Sequence, residues 1–83
     1  MVMDEGLDWR EYIHTDPNIL VGKPVVKGTR LSVEFLLRLF AAGWSNEQIL
    51  DSYPTLTAAA LRAVFSYAAA AAAEEKWLPL VRV

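Results

Sequence analysis

The residues able to do chemistry in this 83-residue chain are few and fall into two short clusters. The first is Gly22-Lys23-Pro24-Val25-Val26-Lys27-Gly28-Thr29-Arg30, in which three cations share a segment with two glycines. Glycines permit tight turns, and Lys23, Lys27 and Arg30 supply charge-assisted donors suited to DNA phosphates or an acidic partner. The competing reading is structural, with Gly28 turning the chain and Arg30 bonded to helix carbonyls or to an acidic side chain. A nucleotide-binding P-loop is excluded, because Gly22-Lys23 is followed by Pro24 where that loop needs Ser or Thr. The second cluster is Thr55, Thr57, Arg62 and Ser66. These reach bases or phosphates if the helix they adjoin enters a groove, and Arg62 alone can grip guanine bidentately.

Catalysis finds little to work with. His14 is the sole histidine and there is no cysteine, so nucleophile–base pairs and thiolate metal sites are absent from the inventory. His14 and Asp16 can be written as an acid–base pair, but turn residues this close in sequence usually serve the backbone. The expectation is no enzyme, no metal and no small-molecule cofactor.

The elements that must position these residues follow from local pattern. Residues 1–30 read as an extended arm. Thr15-Asp16-Pro17-Asn18 and Gly22-Lys23-Pro24 are turns by chemistry, and short strands near Ile13 and Val25 can pair as a ribbon. From Leu31 the apolar period becomes helical. Ser32 caps a helix over residues 33–42, with Phe35, Leu36, Leu39 and Phe40 as its buried stripe, Leu37 widening it, and Gly43 just past its end. Ser45 and Gln48 fit a capping box for a short second helix that stops before Pro54, with Ile49 and Leu50 as its buried pair. Thr57 caps a third helix running to about residue 76, with Leu61, Val64, Phe65 and Ala68 inward. Three helices with these turns match the helix-turn-helix arrangement.

Composition limits the rest. At 9.3 kDa the chain supports one core, so residues 1–83 read as a single domain: arm 1–30, three-helix body 31–76 and apolar tail 77–83. Apolar residues make up 54% of it and the mean hydropathy is +0.23, which is rich for so small a body and points to cover by another chain. The six alanines 68–73 offer a smooth helix face. The tail after them, with Trp77, Leu78, Leu80, Val81 and Val83, is expected to dock on a sister chain or a partner. Trp9, Trp44 and Trp77 are expected to pack in the core or at such an interface. No apolar run reaches the ~18 residues that span a bilayer and the first residues lack a signal-peptide pattern, so a cytoplasmic protein is expected. The net charge of −2 is uneven: residues 1–16 hold five acids against Arg10, while residues 17–38 hold four cations against Glu34. The acidic arm can therefore fold back over the basic segment.

Several stretches together resemble the domain of unknown function 433 family. These are Ile13-His14-Thr15-Asp16-Pro17-Asn18-Ile19, the Gly22 to Arg30 run with Val33 after it, and Gly43, Ser45, Ile49, Tyr53-Pro54 and Leu56-Thr57. The likeness covers roughly residues 12 to 70. It implies a homeodomain-like helix-turn-helix fold, and it implies an antitoxin of the VapB type encoded beside a PIN-like ribonuclease toxin, dimeric and DNA-binding. Two departures stand out: Val21 occupies a position where many members have Gly, and Leu31-Ser32 replaces the common Ile-Pro. The resulting expectation is a mostly α, three-helix domain with a short N-terminal β-ribbon. It would act as an antitoxin-type DNA-binding regulator through Lys23, Lys27, Arg30, Thr55, Thr57 and Arg62. The rival is a protein–protein interaction module without DNA binding, favoured by the acidic balance and by Ala58-Ala59-Ala60 where base-reading side chains belong.

Overall fold

The computed structural model describes residues 7–74. A 3-10 turn over Trp9–Glu11 leads into strand β1 (Ile13–His14), which pairs antiparallel with β2 (Val25–Val26) in the register Ile13 to Val26 and His14 to Val25. Three helices follow: α1 (Val33–Ala41), α2 (Asn46–Ser52) and α3 (Ala58–Glu74). The architecture is thus a small helical domain carrying an N-terminal ribbon, as the sequence pattern implies. The tail residues Trp77, Leu78, Leu80, Val81 and Val83, expected at an interface, lie outside the described residues.

Capping chemistry sets the helix limits. Ser32 Oγ accepts from Phe35 N at 2.9 Å, and the Pro24 carbonyl accepts from Val33 N at 2.9 Å, so two of the four orphan amides opening α1 are satisfied. Ser32 suits the position before the helix because its hydroxyl supplies that bond. At the other end Gly43, with φ +97°, donates to the Phe40 carbonyl, and Trp44 N donates to that of Leu39. This double closure is the Schellman motif, and it needs a residue comfortable with positive φ. The capping box at α2 is complete: Gln48 N donates to Ser45 Oγ at 3.1 Å and Ser45 N to Gln48 Oε1 at 2.8 Å. For α3, Thr57 Oγ1 accepts from Ala60 N at 3.1 Å.

Each helix sends one fully covered aliphatic side chain to the centre: Leu36 from α1, Ile49 from α2 and Leu61 from α3. Val64 completes the group, with Ile13 and Val26 of the ribbon and Leu56 of the α2–α3 turn around it. Burying a side chain of this size contributes about 1.5–3 kcal/mol, so these residues dominate the stability. Ala60 and Ala63 are as deeply buried as the large residues, and their small side chains let α3 approach its neighbours closely.

The expected inward stripes need two corrections. Phe35 and Phe65 are 37% and 45% exposed, and both lie against other rings at the surface. Phe35 meets Tyr53 edge-on at 5.9 Å between centroids, and Phe65 meets Phe40 at 4.6 Å, so each ring ties two helices together from outside. Leu50, expected to be buried beside Ile49, is half-buried.

The arm is folded rather than loose. Trp9 packs edge-on against Tyr67 of α3 at 4.8 Å, and the Arg10 guanidinium lies 4.7 Å from the Trp9 ring centre. Asp8 caps its own 3-10 turn and pairs with Arg10 at 3.5 Å. Within the described residues the arm's acids make no ion pair with Lys23, Lys27 or Arg30.

One local conformation escapes sequence reading. Leu20, Val21 and Gly22 form a consecutive left-handed run with φ of 51°, 57° and 81°. For a β-branched residue this region is a genuine outlier, costing about 1–2 kcal/mol, and Val21 is 93% exposed, so no packing offsets it. Val21→Gly is expected to raise stability by about 0.5–1 kcal/mol, the strain relieved less the extra unfolded-state entropy of glycine. A urea titration should show a higher midpoint at unchanged slope. A lower midpoint would mean that Val21 makes a compensating contact in solution.

Candidate functional site

The basic segment is built by a second turn inside the ribbon. After β2 the chain reverses through Lys27-Gly28-Thr29-Arg30 and returns beside itself, with Val25 bridged to Ser32 and Val26 N donating to the Leu31 carbonyl at 3.0 Å. Thr29 locks the tip: its hydroxyl donates to the Val26 carbonyl at 2.8 Å and accepts from Leu31 N at 2.9 Å. Gly28 supplies the left-handed residue that the reversal requires, at φ +82°. Lys27 N is tied to the Tyr12 carbonyl at 2.8 Å, which fixes the tip to the arm. The outcome is a short rigid loop with the Lys27 and Arg30 side chains exposed on it.

The other cations of the described residues are engaged. Lys23 Nζ bonds Glu34 Oε1 at 3.0 Å, and Arg38 holds Glu34 Oε2 at 2.9 Å. Hydrogen bonding from Arg38, then from Lys23, together with their positive charges, lowers the Glu34 carboxyl below its ordinary value of 4.5. Arg10 is paired with Asp8, and Arg62, exposed on α3, also makes an interaction within the chain. Lys27 and Arg30 have no ion pair among the described residues. Gly28 turns the chain, and among the described residues no carbonyl or carboxylate holds Arg30.

The α2–α3 turn carries the second cluster. Thr55 and Thr57 are exposed there, but the Thr57 hydroxyl already caps α3. The opening residues Ala58 and Ala59 offer only methyl groups. The ribbon tip and the start of α3 are thus both surface features, one rich in free charge and the other poor in hydrogen-bonding groups. His14 and Asp16 do not form a pair. Asp16 Oδ1 accepts from Asn18 N at 2.9 Å in the turn, while His14 Nε2 is buried with no hydrogen-bond partner among the described residues.

Two shallow apolar grooves, neither legible from sequence, flank the Glu34–Arg38 pair on α1. One, of about 420 Å³, is lined by Leu20, Val21 and Phe35; the other, of about 530 Å³, by Pro24, Val33, Leu37, Ala41 and Tyr67. They are assembled from residues distant in sequence, which local periodicity does not reveal. No helix among the described residues is long and apolar enough to cross a membrane.

Fold and site define a small trihelical domain with a basic ribbon tip. The chain belongs to the DUF433 family, a protein family of unknown function, whose pattern matches residues 13–68. It is similar to the uncharacterized protein y4eO of Sinorhizobium fredii, with 43% identity over 68 residues, covering 82% of this chain and 31% of that protein. The chain thus spans about a third of the length of that relative. It is also similar to the crystal structure of a DUF433 member from Anabaena variabilis, with 31% identity and a TM-score of 0.64, covering 66% of this chain and 55% of the other.

Two outcomes test this geometry. Thr57→Ala should destabilise the fold by about 1 kcal/mol, because it removes a cap. Thermal melting would register that loss; an unchanged melting curve would free the Thr57 hydroxyl for a ligand. Glu34 has a lowered carboxyl, so its stabilising contribution is present above about 4.5 and fades as pH falls through the folded-state value. All three partners of this network are at least half exposed, so the effect is small and screened by salt. Glu34→Gln should flatten that portion of the stability–pH profile at low ionic strength and leave the profile at high salt unaltered. Equal flattening at both salt levels would contradict the exposed-network description.

Proposed function

We propose that this chain is an antitoxin-type regulator that binds DNA as a homodimer and holds the duplex mainly by its backbone. The observation that carries this reading is the charge left over at the ribbon tip. Arg10, Lys23, Arg38 and Arg62 are engaged inside the chain, whereas Lys27 and Arg30 stand exposed, with no ion pair among the described residues, on a loop fixed by backbone bonds. A rigid pair of cations is matched to adjacent phosphates with little ordering cost. The α2–α3 unit supplies the helix-turn-helix frame, with Thr55 and Arg62 as its exposed polar groups and Ala58 and Ala59 able to contact thymine methyls. Base readout from such a surface is thin, so two copies are needed to reach useful affinity. A PIN-like ribonuclease is the partner that the family resemblance implies.

Counterion release gives the test. A dimer that grips four phosphates through Lys27 and Arg30 should show a slope of log affinity against log salt of about −3.6. Fluorescence anisotropy with a labelled 20-base-pair duplex would measure it, and the Lys27→Ala/Arg30→Ala variant should lose that slope. Absence of binding at about 50 mM salt, or an unaltered slope in the variant, would overturn the proposal.

A second reading, an interaction module that never touches DNA, is favoured by the first turn of α3. There the Thr57 hydroxyl is consumed by the cap and the next two side chains are methyl groups. The anisotropy experiment separates the two readings directly.

A further inference from the structure

We infer that the outward face of α1 is the surface on which two copies of this chain meet, antiparallel across a two-fold axis. This rests on the homodimeric reading proposed above and supplies the face which that reading leaves open. It does not depend on DNA binding, which uses the ribbon tip. Glu34, Leu37, Arg38 and Ala41 are spaced at three, one and three residues, so they lie along one face of the helix. Glu34, Arg38 and Ala41 are exposed and Leu37 is half-buried, so among the described residues this face stands open. Apolar surface concentrates beside it. Three of the four large apolar residues exposed in the described body, Leu20, Val21 and Phe35, line the groove on one side of the Glu34–Arg38 pair. Leu37 and Tyr67 line the groove on the other side. Exposed apolar surface gathered around a few charges marks a site of association.

Charge selects the occupant and its direction. A helix face with an acid and a base four residues apart is complementary to itself when reversed. With the two-fold passing midway between them, Glu34 of one copy faces Arg38 of the other, and symmetry repeats the pair. A parallel arrangement would set Glu34 against Glu34 and Arg38 against Arg38. A uniformly acidic or basic partner would likewise oppose one charge of its own sign. Both groups have capacity for the additional contact. Arg38 reaches Glu34 Oε2 through Nε at 3.3 Å and Nη2 at 2.9 Å. Its Nη1 group and the second Nη2 hydrogen remain for the carboxylate of the other copy. The same two-fold lays each groove beside its own counterpart, so Phe35 and Leu37 are covered on either side of the charges. That width is needed. The nine residues of α1 are only about 14 Å long, whereas a stable interface takes about 800 Å² from each copy.

Exchange of the charges tests the arrangement in the full-length protein, with sedimentation equilibrium at micromolar concentrations as the readout. Glu34→Arg and Arg38→Glu, made separately, each oppose like charges across the axis and should weaken self-association about tenfold or more. An equimolar mixture of the two variants restores opposite charges at both contacts and should recover the parent dimer. The double variant Glu34→Arg/Arg38→Glu should also dimerise. Asp51→Arg, an equal change of net charge on the exposed face of α2, should leave association unaltered. Circular dichroism checks that every variant is folded. A parent chain that stays monomeric would overturn this inference together with the homodimeric reading. A parent dimer that persists in both single variants, or weakens equally with Asp51→Arg, would overturn the α1 interface alone. Failure of the mixture to associate would overturn the antiparallel pairing.

Discussion

The structure depends on the closure of residues 24–33 upon themselves. Val33 N reaches back to the Pro24 carbonyl, Val26 N to that of Leu31, and Lys27 N to that of Tyr12. These backbone bonds join arm, ribbon and first helix at one place. They bury Val25, Val26 and Val33, give α1 its starting point, and leave the tip no direction but outward. A two-stranded ribbon of two residues per strand is not stable alone. Here it persists because the bond from Val33 makes it the N-terminal satisfaction of a helix, and because Ile13 and Val26 are part of the helical core. The glycine and threonine of the tip are thus structural, while the side chains of Lys27 and Arg30 form no ion pair among the described residues.

Packing around that closure favours close helix approach over bulk. The centre is Leu36, Ile49 and Leu61, one from each helix, with Ala60 and Ala63 as the seam. Because the seam is thin, the aromatic rings are displaced to the outside, where Phe35 meets Tyr53, Phe65 meets Phe40 and Trp9 meets Tyr67. Each such pair joins elements at the surface, at an expected contribution of about 0.5–1.5 kcal/mol beyond area burial. The same displacement opens the grooves beside α1. Apolar excess in the composition therefore surfaces as clasps and troughs.

Local chemistry was readable and long-range chemistry was not. Ser32, Ser45, Thr57 and Gly43 marked the helix ends because caps are decided within four residues of themselves. The ribbon was legible from its turns and its β-branched pair. The inward positions of Phe35 and Phe65 were misread because a helical period shows where a stripe runs but not how near the facing helix lies. Ala60 and Ala63, weak in any hydropathy count, are buried instead. The left-handed Leu20 and Val21 were hidden because only Gly22 announces positive φ. At the candidate site, the fixed turn of residues 27–30 was visible, but the engagement of Lys23 was not, since its partner Glu34 is 11 residues away.

That engagement matters more than the net charge. A total of −2 argues against nucleic acid only if charges average over the surface. They do not average here. Glu34 absorbs Lys23 and Arg38, and Asp8 absorbs Arg10, so the acids of the described body are partly spent on local pairs. What remains near the tip is a small undiluted positive feature on a rigid loop. Two cations would grip few phosphates, so any binding of DNA by a single copy would be weak and only shallowly dependent on salt. A surface of this design becomes effective only when symmetry repeats it or a partner extends it. Assembly is therefore a requirement that the charge arrangement itself places on any role at DNA.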